Sequence, residues 1–170
     1  MADNKYPVYV RLLGGLGNQL FQYGMGRALA DVRQTELVLD PRFILRNSAS
    51  SGLPIDDFAI RARYLTDLET AHFKEPIWKL TRALRRQINP WLGYYHETKH
   101  SFDAAALTQS NKIMLSGFWQ SERYFVNQGH QLRSDLVLKN PLPLEAVQVA
   151  SKMQRGVSVA MHVRRGDYLS

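Results

Sequence analysis

The chain contains no cysteine. Disulfide frameworks and thiolate metal sites are thereby excluded, and nothing points to the oxidising compartments in which cysteine pairs stabilise small folds. Long apolar runs are missing as well. No stretch approaches the roughly 20 residues that span a bilayer, and residues 1–7 show neither the basic start nor the apolar run of a secretory leader. These absences lead to the expectation of a soluble chain with a cytoplasmic address. Internal repeats and low-complexity tracts are lacking too, which sets aside solenoids and disordered linkers. Acidic residues are in the minority: 15 Asp and Glu against 22 Lys and Arg give a net charge of +7. Such an excess favours an anionic partner without choosing among nucleic acid, anionic lipid and a nucleotide diphosphate. No zinc-finger or RNP-like module accompanies the charge, so nucleic acid is not expected.

What is present describes a globular protein. With 170 residues, 45% hydrophobic and 11% aromatic, the chain can bury one good core, one domain with the edge of a second. Part of the basic excess lies in residues 74–86, where Lys79, Arg82, Arg85 and Arg86 face away from Ile77, Leu80, Leu84 and Ile88 on a helical wheel. That face reads as a solvated surface. The alternative is a peripheral contact with the inner face of a membrane or with a lipid-linked glycan.

Along the chain, residues 6–13 read as a strand running into Gly14-Gly15-Leu16-Gly17. Residues 18–33 read as a helix, with Leu20, Phe21, Gly24, Ala28, Leu29 and Val32 at helical spacing. Its small residues allow close approach to a sheet. A second strand over 36–39 ends at Asp40-Pro41, and a βαβ unit of this kind implies a parallel sheet and an α/β layered domain. Residues 47–52 form a loop, 66–74 and 76–88 are expected as helices, and 112–118 as a strand. Ser121 can cap a helix reaching Leu132 with Tyr124 in its second turn. After a break at 140–143 come a helix over 144–154 and a β-prone strand over 156–163. A terminal strand leading to a charged loop is normally followed by a helix, so the chain reads as truncated.

Two motifs carry chemistry. Gly14-Gly15-Leu16-Gly17-Asn18-Gln19 joins a strand to a helix N-terminus, where free N–H groups and the helix dipole suit an anion. Leu20 stands where the last glycine of a dinucleotide fingerprint would be, and no Gly-Lys-Ser/Thr follows, so spacing alone leaves a structural turn and a ligand loop both open. The second motif, His162-Val163-Arg164-Arg165-Gly166-Asp167-Tyr168, ends a strand at the edge where open α/β sheets bind ligands. Its two arginines can offer planar N–H forks to a diphosphate or can belong to a salt-bridge cluster. Arg165-Gly166-Asp167 also matches a cell-adhesion tripeptide, a triplet too short to carry weight in this setting. No Asp-x-Asp pair occurs, and the adjacent Asp56 and Asp57 would point to opposite faces of an extended chain, so no metal requirement is expected.

Together with Gly117-Phe118-Trp119-Gln120-Ser121-Glu122-Arg123-Tyr124-Phe125, and with the first motif extended through Leu20-Phe21-Gln22-Tyr23, the chain resembles the bacterial α-1,2-fucosyltransferases of glycosyltransferase family 11. The likeness runs over nearly all 170 residues. It implies an α/β, Rossmann-like N-terminal half of a GT-B glycosyltransferase: residues 1–155 would be the acceptor-side domain, and 156–170 the first strand and loop of a GDP-fucose-binding domain whose remainder is absent. The implied reaction is inverting transfer of L-fucose from GDP-fucose to the 2-hydroxyl of a terminal galactose on a glycan acceptor, without a cofactor or metal. On this resemblance Arg165 and Arg164 are the catalytic diphosphate contacts, and Gly15, Gly17, Asn18, Gln19, His162 and Asp167 complete the donor site, Asp167 bracing Arg165. Trp119, Gln120 and Glu122 are the acceptor candidates. An exposed indole at 119 would stack on a sugar, whereas a buried one would fill the core beside Phe118, Tyr124 and Phe125. A non-catalytic sugar- or anion-binding domain, and a fucosyltransferase of α-1,6 or α-1,3 linkage, stand as the alternatives.

Overall fold

The computed structural model describes residues 6–47, 53–73, 94–99, 101–109, 113–161 and 163. The chain divides into two compact units, Met1–Lys139 and Asn140–Ser170. The expected helix over 76–88 and the loop expected over 47–52, apart from Asn47, which ends a short helix, lie outside the described residues.

In the first unit, strand β1 (Val8–Arg11) leads through the glycine turn into helix α1 (Leu16–Arg33) and strand β2 (Leu37–Asp40). Helix α2 (Arg42–Asn47), strand β3 (Arg63–Tyr64), helix α3 (Asp67–His72), strand β4 (Tyr94–His96), strand β5 (Met114–Ser116) and helix α4 (Gly129–Asp135) follow. The five strands form one sheet in the order β3-β2-β1-β5-β4. Every pairing among them is parallel, with Val8 opposite Leu37 and Tyr9 opposite both Val38 and Met114. The α/β class and the parallel βαβ unit expected from the sequence are thus present.

β1 and β2 are buried at every position, as strands covered on both faces must be, and alternate residues serve different cores. Val8, Val10, Leu12, Leu37 and Leu39 join Tyr23, Met25 and Leu29 of α1 with Ile55, Trp119 and Tyr124 in the larger one. Tyr9 and Val38 point the other way, toward Phe73, Tyr94 and Met114. The small residues of α1 do permit close approach: a Cβ on Gly26 would lie 2.7 Å from side-chain carbons of both Val10 and Leu37, and one on Gly24 would meet the Phe125 ring at 3.0 Å. Thr66 caps α3 in a reciprocal capping box with Glu69, so that two orphan N–H groups of the first turn are satisfied.

Two expectations need correction. Ser121 does cap a turn, its Oγ accepting from the Arg123 N–H, but the element is a 3-10 turn over Glu122–Tyr124, followed by a second over Val126–Gln128 and only then by α4. Phe125 breaks the helix at φ −138° and ψ 21° because its ring is drawn inward onto Phe21 and into the space above Gly24. In the second unit, helix α5 (Leu144–Met153) forms as expected, whereas residues 157–161 and 163 form no strand. Val157, Val159, Met161 and Val163 are all exposed, and no described strand pairs with them. A β-prone segment without a ladder partner leaves its backbone groups to water and has no reason to stay extended. No helix among the described residues is long and apolar enough to cross a membrane.

Candidate functional site

The order β3-β2-β1-β5-β4 places β1 beside β5, with the chain running outward from β1 through β2 to β3 on one flank and inward from β4 to β5 on the other. In open parallel sheets the carboxyl ends of two such strands border the crevice where ligands bind. Both loops singled out in this part of the sequence, 14–19 and 117–120, leave from those two strand ends.

The first loop is shaped by glycine. Gly14 sits at φ +71°, a left-handed conformation that a side chain disfavours by about 1–2 kcal/mol. Its missing Cβ also makes room for Asn18, whose Nδ2 would lie 2.3 Å from it. Around Gly15 and Gly17 there is nothing within 4 Å of a built Cβ. Gly15 is the N-cap of α1, no side chain caps it, and no acidic residue stands in the first turn. The orphan N–H groups and the positive end of an 18-residue helix therefore have neither a side-chain cap nor a first-turn carboxylate to meet them. Gln19 is buried; its Nε2 donates to the Gly14 carbonyl at 3.0 Å, while its Oε1 is buried without a hydrogen-bond partner among the described residues.

Gln22 and Asn18 tie the second loop to the first. The fully buried Gln22 amide accepts from the Leu13 N–H at 2.9 Å and donates to the carbonyls of Leu13 at 3.2 Å and Gly117 at 3.0 Å. Gln120 donates from Nε2 to Asn18 Oδ1 at 2.7 Å. Trp119 is in the core at 0% exposure, stacked on Tyr95 and edge-on to Tyr124. Its Nε1 has no hydrogen-bond partner among the described residues. The face needed for stacking on a sugar is therefore occupied by protein, and in this conformation Trp119 is a packing residue. Glu122 is exposed, at the start of the following turn. Burial, and then the hydrogen bond to Asp103, push the Tyr95 hydroxyl up to about 12, so the aromatic support beneath Trp119 stays neutral.

On the other sheet face at the same edge, Asp40 is fully buried between two guanidiniums. Arg42 donates to both its oxygens at 2.7 and 2.8 Å, and Arg11 Nε lies 3.3 Å away. Burial would raise the Asp40 carboxyl, but the bonds and charges of Arg42 and Arg11 outweigh it and hold the pKa below the usual range. Arg11 also donates to the Tyr94 hydroxyl at 2.7 Å. Asp40 is thus a structural anchor with no basicity to spare. A cavity of about 310 Å³ opens beside the start of β2, lined by Arg27, Arg61 and Arg63 among others. Those cations are already matched by Asp31, Asp135, Glu36 and Glu69, so it offers little uncompensated charge to a ligand.

The structure brings Gln120, expected on the acceptor side, onto Asn18, expected with Gly15, Gly17 and Gln19 on the donor side. His162, Arg164, Arg165 and Asp167 lie outside the described residues. Two participants were missed: Gln22, whose signal is a polar residue at one of the buried positions of α1, and Glu97, whose Oε2 accepts from the Phe118 N–H at 2.7 Å and which no local pattern marks.

The profile described as "Glycosyl transferase family 11" matches residues 4–170. The chain belongs to that family. An Escherichia coli protein named alpha-1,2-colitosyltransferase is 29% identical over 168 residues, 96% of this chain and 56% of its own length. The chain therefore spans little more than half of that relative. No solved structure matches the chain.

Proposed function

We propose that the protein is a GDP-sugar-dependent α-1,2-glycosyltransferase that moves L-fucose from GDP-fucose to the 2-hydroxyl of a terminal galactose on a glycan, with inversion. The family match across residues 4–170 carries this reading, and the uncapped N-terminus of α1 supports it as a place for a diphosphate. In this account the described first unit belongs to the acceptor-side half of a GT-B enzyme, and residues 156–170 begin the donor-binding half. An acceptor hydroxyl attacks the anomeric carbon and gives up its proton to solvent, the bond to GDP breaks, and negative charge grows on the leaving diphosphate. Arg165 and Arg164 stabilise that charge together with donors from Asn18 and the 15–17 backbone, while His162 contacts the donor and Asp167 braces Arg165. Such fixed cations make a divalent metal unnecessary, so transfer proceeds in chelator. Gln120 and Glu122 stand on the acceptor side.

The relative's name speaks of colitose, which favours a second reading in which the same site takes a different deoxy sugar. Offering GDP-fucose and GDP-colitose side by side to the protein of the full reading frame, with a panel of galactose-terminated and other acceptors, decides between them. Arg165→Ala should lower kcat and kcat/KM together, by about 10²–10³, because the contact strengthens as GDP departs. Arg165→Lys should recover only part, since it keeps the charge and loses the fork. Parental kcat/KM in both variants, with an unchanged melt, would remove Arg165 from the mechanism. The 170-residue chain assayed alone should show no transfer; robust turnover by it would contradict the two-domain account.

A further inference from the structure

The turn after β5 holds a tryptophan where tryptophan does not ordinarily rest. Trp119 has φ +55°, a left-handed conformation that is a genuine outlier for a bulky side chain and persists only when its surroundings over-determine it. Part of the determination is the buried stack on Tyr95. The rest is Glu97, which directly follows β4. Its Oε2 accepts from the backbone N–H groups of Phe118 at 2.7 Å and Trp119 at 3.3 Å, and its own N–H donates to the Ser116 carbonyl at 2.9 Å. Gly117 makes this possible, since a Cβ there would lie 2.4 Å from the Cβ of Glu97.

What the turn delivers is Gln120. The Ser121 N–H donates back to the Trp119 carbonyl at 2.7 Å, closing a tight turn centred on Gln120, and the Gln120 amide crosses to Asn18 Oδ1 at 2.7 Å. With Oδ1 taken, the Asn18 amide is fixed with its Nδ2 over Gly14. The orientation matters because an anion at this loop needs a donor, and a flipped amide would present an acceptor.

We propose that Glu97 is a positioning residue for the glycine loop: by fixing the backbone of Phe118 and Trp119 it sets Gln120, and through Gln120 the donor face of Asn18. The proposal rests on the reading that this loop takes the diphosphate of a nucleotide sugar. GDP itself is the probe, being common to any GDP-sugar. Its affinity is measured by calorimetry on the protein of the full reading frame, for Asn18→Ala, Gln120→Ala, Glu97→Ala, Glu97→Gln and the Asn18→Ala/Glu97→Ala double variant, with a thermal melt of each.

Asn18→Ala, Gln120→Ala and Glu97→Ala should each weaken GDP about tenfold. The double variant should be no weaker than Asn18→Ala alone, within about twofold, because both changes break one chain of contacts. Glu97→Gln keeps an oxygen for the two N–H groups and should recover most of the affinity. A purely structural role would lower the melt and leave the effects on GDP independent. If Asn18→Ala weakens GDP while Glu97→Ala does not, or if the two effects multiply, Glu97 does not position the loop although the loop still binds. Should Glu97→Ala fail to fold, the exposed Gln120 carries the test, and parental affinity in Gln120→Ala beside a weakened Asn18→Ala overturns the proposal. Parental affinity in Asn18→Ala would remove the loop reading itself, and this inference with it.

Discussion

Two loops leave adjacent strand ends and reach left-handed backbone by opposite routes. After β1 the left-handed residue is Gly14, at φ +71°; after β5 it is Trp119, at φ +55°. The glycine adopts that conformation with little strain and leaves open space around its neighbours Gly15 and Gly17. The tryptophan is held there by a buried aromatic stack and by the Glu97 carboxylate. The difference teaches that the first loop is shaped by its own residues and leaves open space at Gly15 and Gly17, whereas the second is shaped by its surroundings, as the proposed brace requires.

The largest expected effect breaks the brace. Trp119→Ala removes a fully buried indole and should cost about 3–5 kcal/mol of stability. Trp119→Gly empties the same space but relieves the left-handed strain, so it should be more stable than Trp119→Ala by about 1 kcal/mol. Denaturant unfolding of both variants checks this; alanine proving the more stable would show that the backbone at 119 is unstrained. Next in size is Gly14→Ala, which imposes about 1–2 kcal/mol of left-handed strain and displaces Asn18, whose amide occupies the place of the new methyl. Its melt should fall while that of Gly15→Ala does not.

How much of this was legible in the sequence follows the same division. β1, α1 and β2 could be read because β-branched residues, a glycine turn and a helical period sit within one continuous segment, and the Thr66 to Glu69 capping box is likewise local. β3 and β4, two and three residues long, are strands only because β2 and β5 lie beside them. The helix expected from Ser121 is broken by Phe125 packing against α1, a contact at long sequence separation. At the candidate site, the glycine turn is marked by its own residues, while nothing near Glu97 indicates that it will hold a turn 21 residues later. The exposure of Trp119 decided its role, and burial is a property of the folded chain.

A pH titration tests a third local device, the capping box of α3. Hydrogen bonds from Arg63 and then Thr66 and Tyr9, against the opposing effect of burial, bring the Glu69 carboxyl from 4.5 to about 2. A carboxyl lowered in the fold contributes stability that is fully present above its unfolded pKa and is lost as pH falls from about 4.5 toward 2. Arg63 is 38% exposed, and solvent screening reduces the contribution to about 1 kcal/mol. Parental protein should therefore out-melt Glu69→Gln at pH 7, and the gap should close by about pH 2–3. A gap independent of pH would mean that the cap does not depend on the charge.

The smallest effect on stability belongs to the residue that tests the account most directly. Gly17 lies in the first turn of α1 with open space where its Cβ would be, so Gly17→Ala should leave the melt unchanged or raise stability by up to about 0.5–1 kcal/mol. The same methyl stands where a diphosphate would approach the helix N-terminus. Measured on one preparation, the melt and the affinity for GDP should part company: stability held or raised, GDP weakened at least about tenfold, as a methyl group blocking close backbone approach would require. An unchanged affinity for GDP in a stable Gly17→Ala protein would show that the loop after β1 is a structural turn and that the ligand binds elsewhere.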